Sequence, residues 1–134
     1  MLQIKSQKES VSANQEKTFS VLTNFINQKF DNVPGLSDFQ TFENGCQFNV
    51  QGGVACKLTL VNQHPFSKVA YKVDTDKNIS ADVVFDIEPD GANSSLQASL
   101  NADVPFFLQM MVKGMIEKFM GNAMQFLKTA IERS

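Results

Sequence analysis

PFFLQMMVKGMIEKFMGNAMQFLKTAIER, residues 105–133, is the stretch that decides the fold. Pro105 suits a first helical turn, Asp103 just before it is the expected cap, and apolar residues then recur at helical spacing to the end. On a helical wheel Leu108, Val112, Met115, Ile116, Phe119, Ala123, Phe126, Leu127 and Ala130 share one side, while Lys118, Gly121, Gln125, Lys128 and Glu132 share the other. A helix of about 28 residues spans roughly 40 Å, longer than the ~30 Å of a nine-residue strand, so it lies diagonally across a curved sheet. The first two turns break the pattern. Phe107, Met110 and Met111 fall on the side that is polar further down, which makes an exposed apolar patch unless something covers it. The loop Phe30 to Leu36, a second protomer, a ligand tail and a membrane surface are the alternatives for that cover.

The preceding residues supply the sheet. From about Asp38 to Asp103 the apolar period is two: Phe48 and Val50, then Val54, Cys56, Leu58 and Leu60, then Val69, Tyr71 and Val73. Ile79 to Ile87 and Leu96 to Ala102 continue it, each strand alternating with Lys, Asp, Gln or Ser. A two-residue Gly52-Gly53 turn would set Phe48 opposite Lys57, so a three-residue Gln51-Gly52-Gly53 connection or a nearby bulge that sets Phe48 opposite Cys56 is expected. Turns at His64-Pro65, Asp76-Lys77 and Pro89-Asp90-Gly91 complete an antiparallel meander with one dry face. Ahead of it, Leu2 to about Val11 reads as a strand. Ser12 or Asn14 caps a helix carrying Phe19, Leu22, Phe25 and Ile26, and a second short helix runs through Phe30 to the Pro34-Gly35 turn.

At 134 residues, 43% hydrophobic and 19% charged, the chain is expected to form one domain over residues 1–134. A net charge of −2 argues against a nucleic-acid partner, because phosphate binding needs a basic field. No uninterrupted run of about 18 apolar residues is present and the N-terminus has no leader pattern, so no stable membrane insertion and a cytoplasmic location are expected. Asn78-Ile79-Ser80 and Asn93-Ser94-Ser95 match the glycosylation sequon by chance on that reading.

One strand, two short helices, a six-stranded meander and a long terminal helix is the element order of the START/SRPBCC helix-grip superfamily. The chain resembles its START lipid-transfer domains, birch-pollen allergens and small bacterial polyketide cyclase-like proteins. The resemblance rests on the strand into Val11, the helix with Phe19, Leu22 and Phe25, the Pro34-Gly35 turn and the Pro105-led helix. It implies an α+β helix-grip fold, in which a curved antiparallel seven-stranded sheet wraps around the C-terminal helix. It also implies a hydrophobic cavity between the two, with access near the helix start.

Three functions compete. The leading one is non-catalytic binding or transport of an apolar or amphipathic small molecule, lipid-like or aromatic. The cavity wall would be Phe48, Cys56, Leu58, Tyr71, Phe85, Val112, Met115 and Phe119, with Phe107, Met110 and Met111 at the portal or at a partner contact. The second is a polyketide cyclase-like enzyme. It needs an ionisable group on the inner wall, where only Tyr71, Cys56 and Cys46 are available. The third is a chaperone-type interaction module using the helix start, and a homodimer there also stays open.

No cofactor is expected. The lone His64 sits in a turn with no second His to share a metal. Asp82, Asp86 and Glu88 lie on the outer face as solvated carboxylates. Asp74 to Asn78 resembles the start of a calcium loop, but Ile79 stands where Gly is needed and Phe85 where Glu is needed. Cys46 and Cys56 sit on a diagonal roughly 7 Å apart, at the limit for a bridge, and are expected as buried thiols.

Overall fold

The structure is a computed structural model that describes residues 2–23, 36–42, 44–50, 53–76 and 79–133, with the side chains of Leu36 and Phe119 outside the description. The elements are β1 (Leu2–Lys5), β2 (Glu9–Val11), α1 (Gln15–Thr23), β3 (Leu36–Phe42), β4 (Gly45–Val50), β5 (Val54–His64), β6 (Lys68–Thr75), β7 (Ser80–Asp90), β8 (Asn93–Asp103) and α2 (Phe106–Arg133). The expected second short helix and the Pro34-Gly35 turn lie outside the described residues.

All strands join one antiparallel sheet in the order β1-β8-β7-β6-β5-β4-β3, with β2 also pairing β8. The single strand expected from Leu2 to Val11 is therefore two short ones, both against β8. Between them Ser6 leaves the ladder: its Oγ accepts from Ala98 N, while its backbone N donates to Ala98 O. The β4–β5 register sets Phe48 opposite Cys56, Cys46 opposite Leu58 and Val50 opposite Val54, the three-residue connection read from side-chain parity. Gly53, at φ 85°, closes it through its N–H to the Val50 carbonyl.

Asn14 starts α1. Its Oδ1 accepts Lys17 N at 2.8 Å and its carbonyl accepts Thr18 N, satisfying two first-turn donors. The helix touches β6, β7 and β8 and covers one end of the concave sheet face. Thr18 and Ser94, both fully buried, share a hydrogen bond there, and Ser94 donates to the Ala13 carbonyl. Asp103, the expected cap of α2, is instead the last residue of β8, opposite Ser80. The Pro105 carbonyl accepts Leu108 N and opens the helix.

The deepest row of α2 is Met120, Met124, Leu127 and Ile131. That is roughly a quarter turn from the centre of the row read from periodicity, at about 100° per residue. The cause is the position of α2, which touches α1, β1 and β2 as well as facing the meander. Its best-buried flank joins the cluster of Leu2, Ile4, Val11 and Leu22. The expected row through Val112, Ile116 and Ala123 is only half-buried because it faces a void. No helix among the described residues is long and apolar enough to cross a membrane.

Candidate functional site: an apolar cavity under the terminal helix

Among the described residues α1 meets β6, β7 and β8, and a cavity lies between the sheet and α2 along the stretch from Val112 to Leu127. The space is about 310 Å³, large enough for a small ligand and equivalent to roughly ten waters. Every central strand contributes inward residues at alternate positions. Phe48 and Cys46 come from β4, Cys56 and Leu58 from β5, Val73 from β6, Val83 and Phe85 from β7, and Ala98, Leu100 and Ala102 from β8. The small side chains of Ala81, Ala98 and Ala102 line the space among larger ones and take up little of it. From above, Val112, Met115, Ile116, Met120 and Ala123 close it.

Among the described residues the wall offers almost no polar chemistry: its polar groups there are Thr75 and the two thiols. Thr75 Oγ1 donates to the Ile79 carbonyl at 2.8 Å and accepts Ile79 N, so its hydroxyl is used within its own turn. Both cysteines are free. Burial pushes the Cys46 thiol up to about 12; burial, then the nearby Asp76 carboxylate, pushes Cys56 to about 11. Thiols held protonated in this way are poor nucleophiles.

Of the expected wall, Phe48, Cys56, Leu58, Phe85, Val112 and Met115 line the cavity, and the side chain of Phe119 is outside the description. Tyr71 is placed elsewhere. Its ring meets Phe85 edge-on at 6.4 Å, and its phenol donates to the Leu22 carbonyl at 2.6 Å, fastening α1 to the sheet. Burial, with a smaller contribution from Cys46, holds that phenol well above its ordinary range. Parity put Tyr71 on the concave face correctly, but α1 occupies the space in front of it. Phe39, stacked on Phe48 at 6.5 Å, is a wall residue that sequence reasoning missed. It lies within a register shift of β3, between Ser37 and Gln40, and Asp38 beside it has a φ of 54°, so simple alternation does not reach it.

At the start of α2 the apolar side chains are open to solvent: Phe106 is 87% exposed, Phe107 81%, Met110 93%, Met111 65% and Met115 55%. Met115 belongs to both surfaces, so the mouth of the cavity runs into this patch.

Apart from Asp76 beside Cys56, the other paired ionisable groups among the described residues are on the surface. Glu88 pairs with Lys8 at 3.0 Å and Asp86 with Lys68 at 3.8 Å, all on the surface. A more open depression of about 420 Å³ on the opposite sheet face holds Asp38, Gln47, Asn49, Lys57 and Asp74. There Asn49 donates to Asp38 and Gln47 to Gln40, each at 2.8 Å. Among the described residues no group of three His, Cys, Asp or Glu side chains is placed to hold a metal ion.

A sheet curved around one long terminal helix, with a dry cavity between them, is the helix-grip fold. No protein-family model and no curated protein sequence matches this chain. Solved structures do. A conserved protein from Geobacillus kaustophilus superposes with a TM-score of 0.76 at 13% identity, covering 99% of this chain and 97% of its own. A START superfamily protein from Mycobacterium smegmatis gives 0.62 at 15% identity, with coverage of 97% and 94%. The Aha1 dimer from Colwellia psychrerythraea gives 0.63 at 15% identity, with 98% and 97%. At these identities the likeness carries the fold.

Proposed function

We propose that this chain binds an apolar or amphipathic small molecule, lipid-like or aromatic, in the cavity beneath α2, and does no chemistry on it. The observation that supports this reading is the described wall: a void of about 310 Å³ lined by aliphatic, aromatic and thioether groups whose few polar atoms, among the described residues, are protonated thiols and an engaged hydroxyl. Such a site rewards desolvation of hydrocarbon and has no free donor to hold a buried polar head, so a polar end of the ligand stays at the mouth beside Met115. Acid–base catalysis needs a titrating group within reach of the reacting atoms, and the described wall supplies none in a useful range. The methionines of the helix wall suit ligands of irregular outline.

Titration with the uncharged fluorophore N-phenyl-1-naphthylamine tests the reading. Saturable binding of one probe per chain is expected, with a blue-shifted emission. Ala123→Leu extends a side chain into the void from the helix side; it should weaken the probe at least about tenfold while leaving thermal stability unchanged or higher. Absence of saturable binding, or full affinity in Ala123→Leu, would overturn the assignment.

A further inference from the structure

We infer that Phe39 is the stop that limits the apolar part of the ligand to about ten carbons, and that a bulge in β3 is what turns its ring into the cavity. This deepens the binding reading proposed above and rests on it.

The bulge follows from the register. β3 pairs Leu36 with Val50 and Ser37 with Asn49, then Gln40 with Gln47, Thr41 with Cys46 and Phe42 with Gly45. Asp38 and Phe39 therefore stand together opposite Phe48, two residues against one. Alternation counted from Leu36 would face Asp38 to the cavity and Phe39 to solvent, setting a carboxylate in an apolar wall. The extra residue reverses that. Asp38 takes up the irregularity at φ 54°, in the left-handed region that Asp tolerates better than most residues, and its carboxylate accepts the Asn49 side chain at 2.8 Å on the outer face. Phe39 turns inward, near-parallel to Phe48 with the ring centres 6.5 Å apart, and lines the void.

Its place in the sheet makes this ring a stop. Every strand from β3 to β8 contributes to the wall, so the void crosses the sheet, with Ala98, Leu100 and Ala102 on the β8 side and Phe39 on the β3 side. Beyond β8 the sheet continues into β1, whose Leu2 and Ile4 are buried. Beyond β3 there is no further strand among the described residues, and Phe39 itself is half-buried. The other aromatic wall residues, Phe48 and Phe85, come from strands paired on both sides.

The volume sets the limit. At the ~30 Å³ share of a water, a void of about 310 Å³ holds about ten methylene-sized groups. A medium chain fits it, and a long acyl or alkyl chain of about sixteen carbons does not. Truncating Phe39 to Ala removes the ring and adds room for about six more such groups, because the surrounding strands relax only partly into the space.

Displacement of N-phenyl-1-naphthylamine by primary alcohols of about 8 to about 14 carbons tests this, with the probe's own affinity measured first for each variant and circular dichroism checking that each keeps its fold. In the unmodified chain every added methylene should tighten binding about fourfold until the void is full, and the gain should stop near about ten carbons. Phe39→Ala should carry the gain on to about fourteen carbons. Phe39→Trp, which keeps the wall filled and adds bulk, should end it about two carbons earlier than in the unmodified chain. Phe42→Ala removes the same ring from the outer face of the same strand, where it lies 5.2 Å from the Lys57 ammonium, and should leave the limit where it is. A limit unmoved by both Phe39 variants, or moved as far by Phe42→Ala, would overturn the role of Phe39 and leave the binding reading standing. Failure of every alcohol to displace the probe would sink the binding reading itself, and this inference with it.

Discussion

Tyr71→Phe should cost stability and leave the ligand site working. The substitution keeps the ring and its edge-on contact with Phe85, and deletes one hydroxyl that donates to the Leu22 carbonyl at 2.6 Å. Tyr71 is 1% exposed and Leu22 0%, so water does not replace the lost donor. A neutral hydrogen bond contributes about 1 kcal/mol net, and a buried acceptor deprived of its donor adds a desolvation cost, giving about 1.5–2.5 kcal/mol. For a chain of this length that lowers Tm by about 5–9 °C. Urea unfolding should show the midpoint falling with an unchanged m-value, as expected for lost native stability without a change in exposed area. Probe affinity should stay within about twofold, since the ring backs the wall without lining the void. A stability change below about 0.5 kcal/mol would refute the role of the phenol as the fastening of α1. Loss of ligand binding at unchanged stability would return Tyr71 to the site.

Two further outcomes follow from particular contacts. A Cβ at Gly45 would run into the Leu58 carbonyl of the adjacent strand, which cannot retreat without breaking the β4–β5 ladder, so Gly45→Ala should destabilise by about 3 kcal/mol or more in the same urea assay. Cys46 and Cys56 hold their protons to about 12 and about 11 in the folded chain, whereas an unfolded thiol releases its proton near 9.0. The unfolded state then binds fewer protons above that pH, so this contribution to stability is complete below about 9 and lost as pH rises toward 12. Each such thiol steepens the decline by up to about 1.4 kcal/mol per pH unit. Cys46→Ala should make the alkaline slope of urea midpoints visibly shallower; an unchanged slope would show that the thiol is not shielded as described.

Much of the molecule is legible in sequence because local chemistry dictates it. Alternation names the inward residues of β4 to β8, and six of the eight expected wall residues line the cavity. The lysine at position 57 rules out the shorter turn, so the β4–β5 register follows from one residue's charge. The wheel turns the apolar first turns of α2 away from the sheet but leaves their cover open, and the structure has them exposed. Other features are not local. Whether a concave-face residue meets a void or a helix depends on where α1 lands: Val73 lines the cavity, and Tyr71, two positions away on the same strand and face, is fastened to α1.

By itself, the sequence determined the antiparallel meander, its dry face and the long terminal helix with apolar first turns aimed away from the sheet, because each depends on the spacing of apolar and polar groups along a single strand or helix. Only the tertiary structure decided which flank of α2 is deepest, that Tyr71 is a fastening rather than a wall, and that the phenylalanines leave a cavity instead of filling it. Those outcomes are balances of volume among elements far apart in the chain. Side-chain packing across Phe39, Ala98, Ala102 and Ala123 sets them, and periodicity carries no record of how much space remains between a helix and the sheet it crosses.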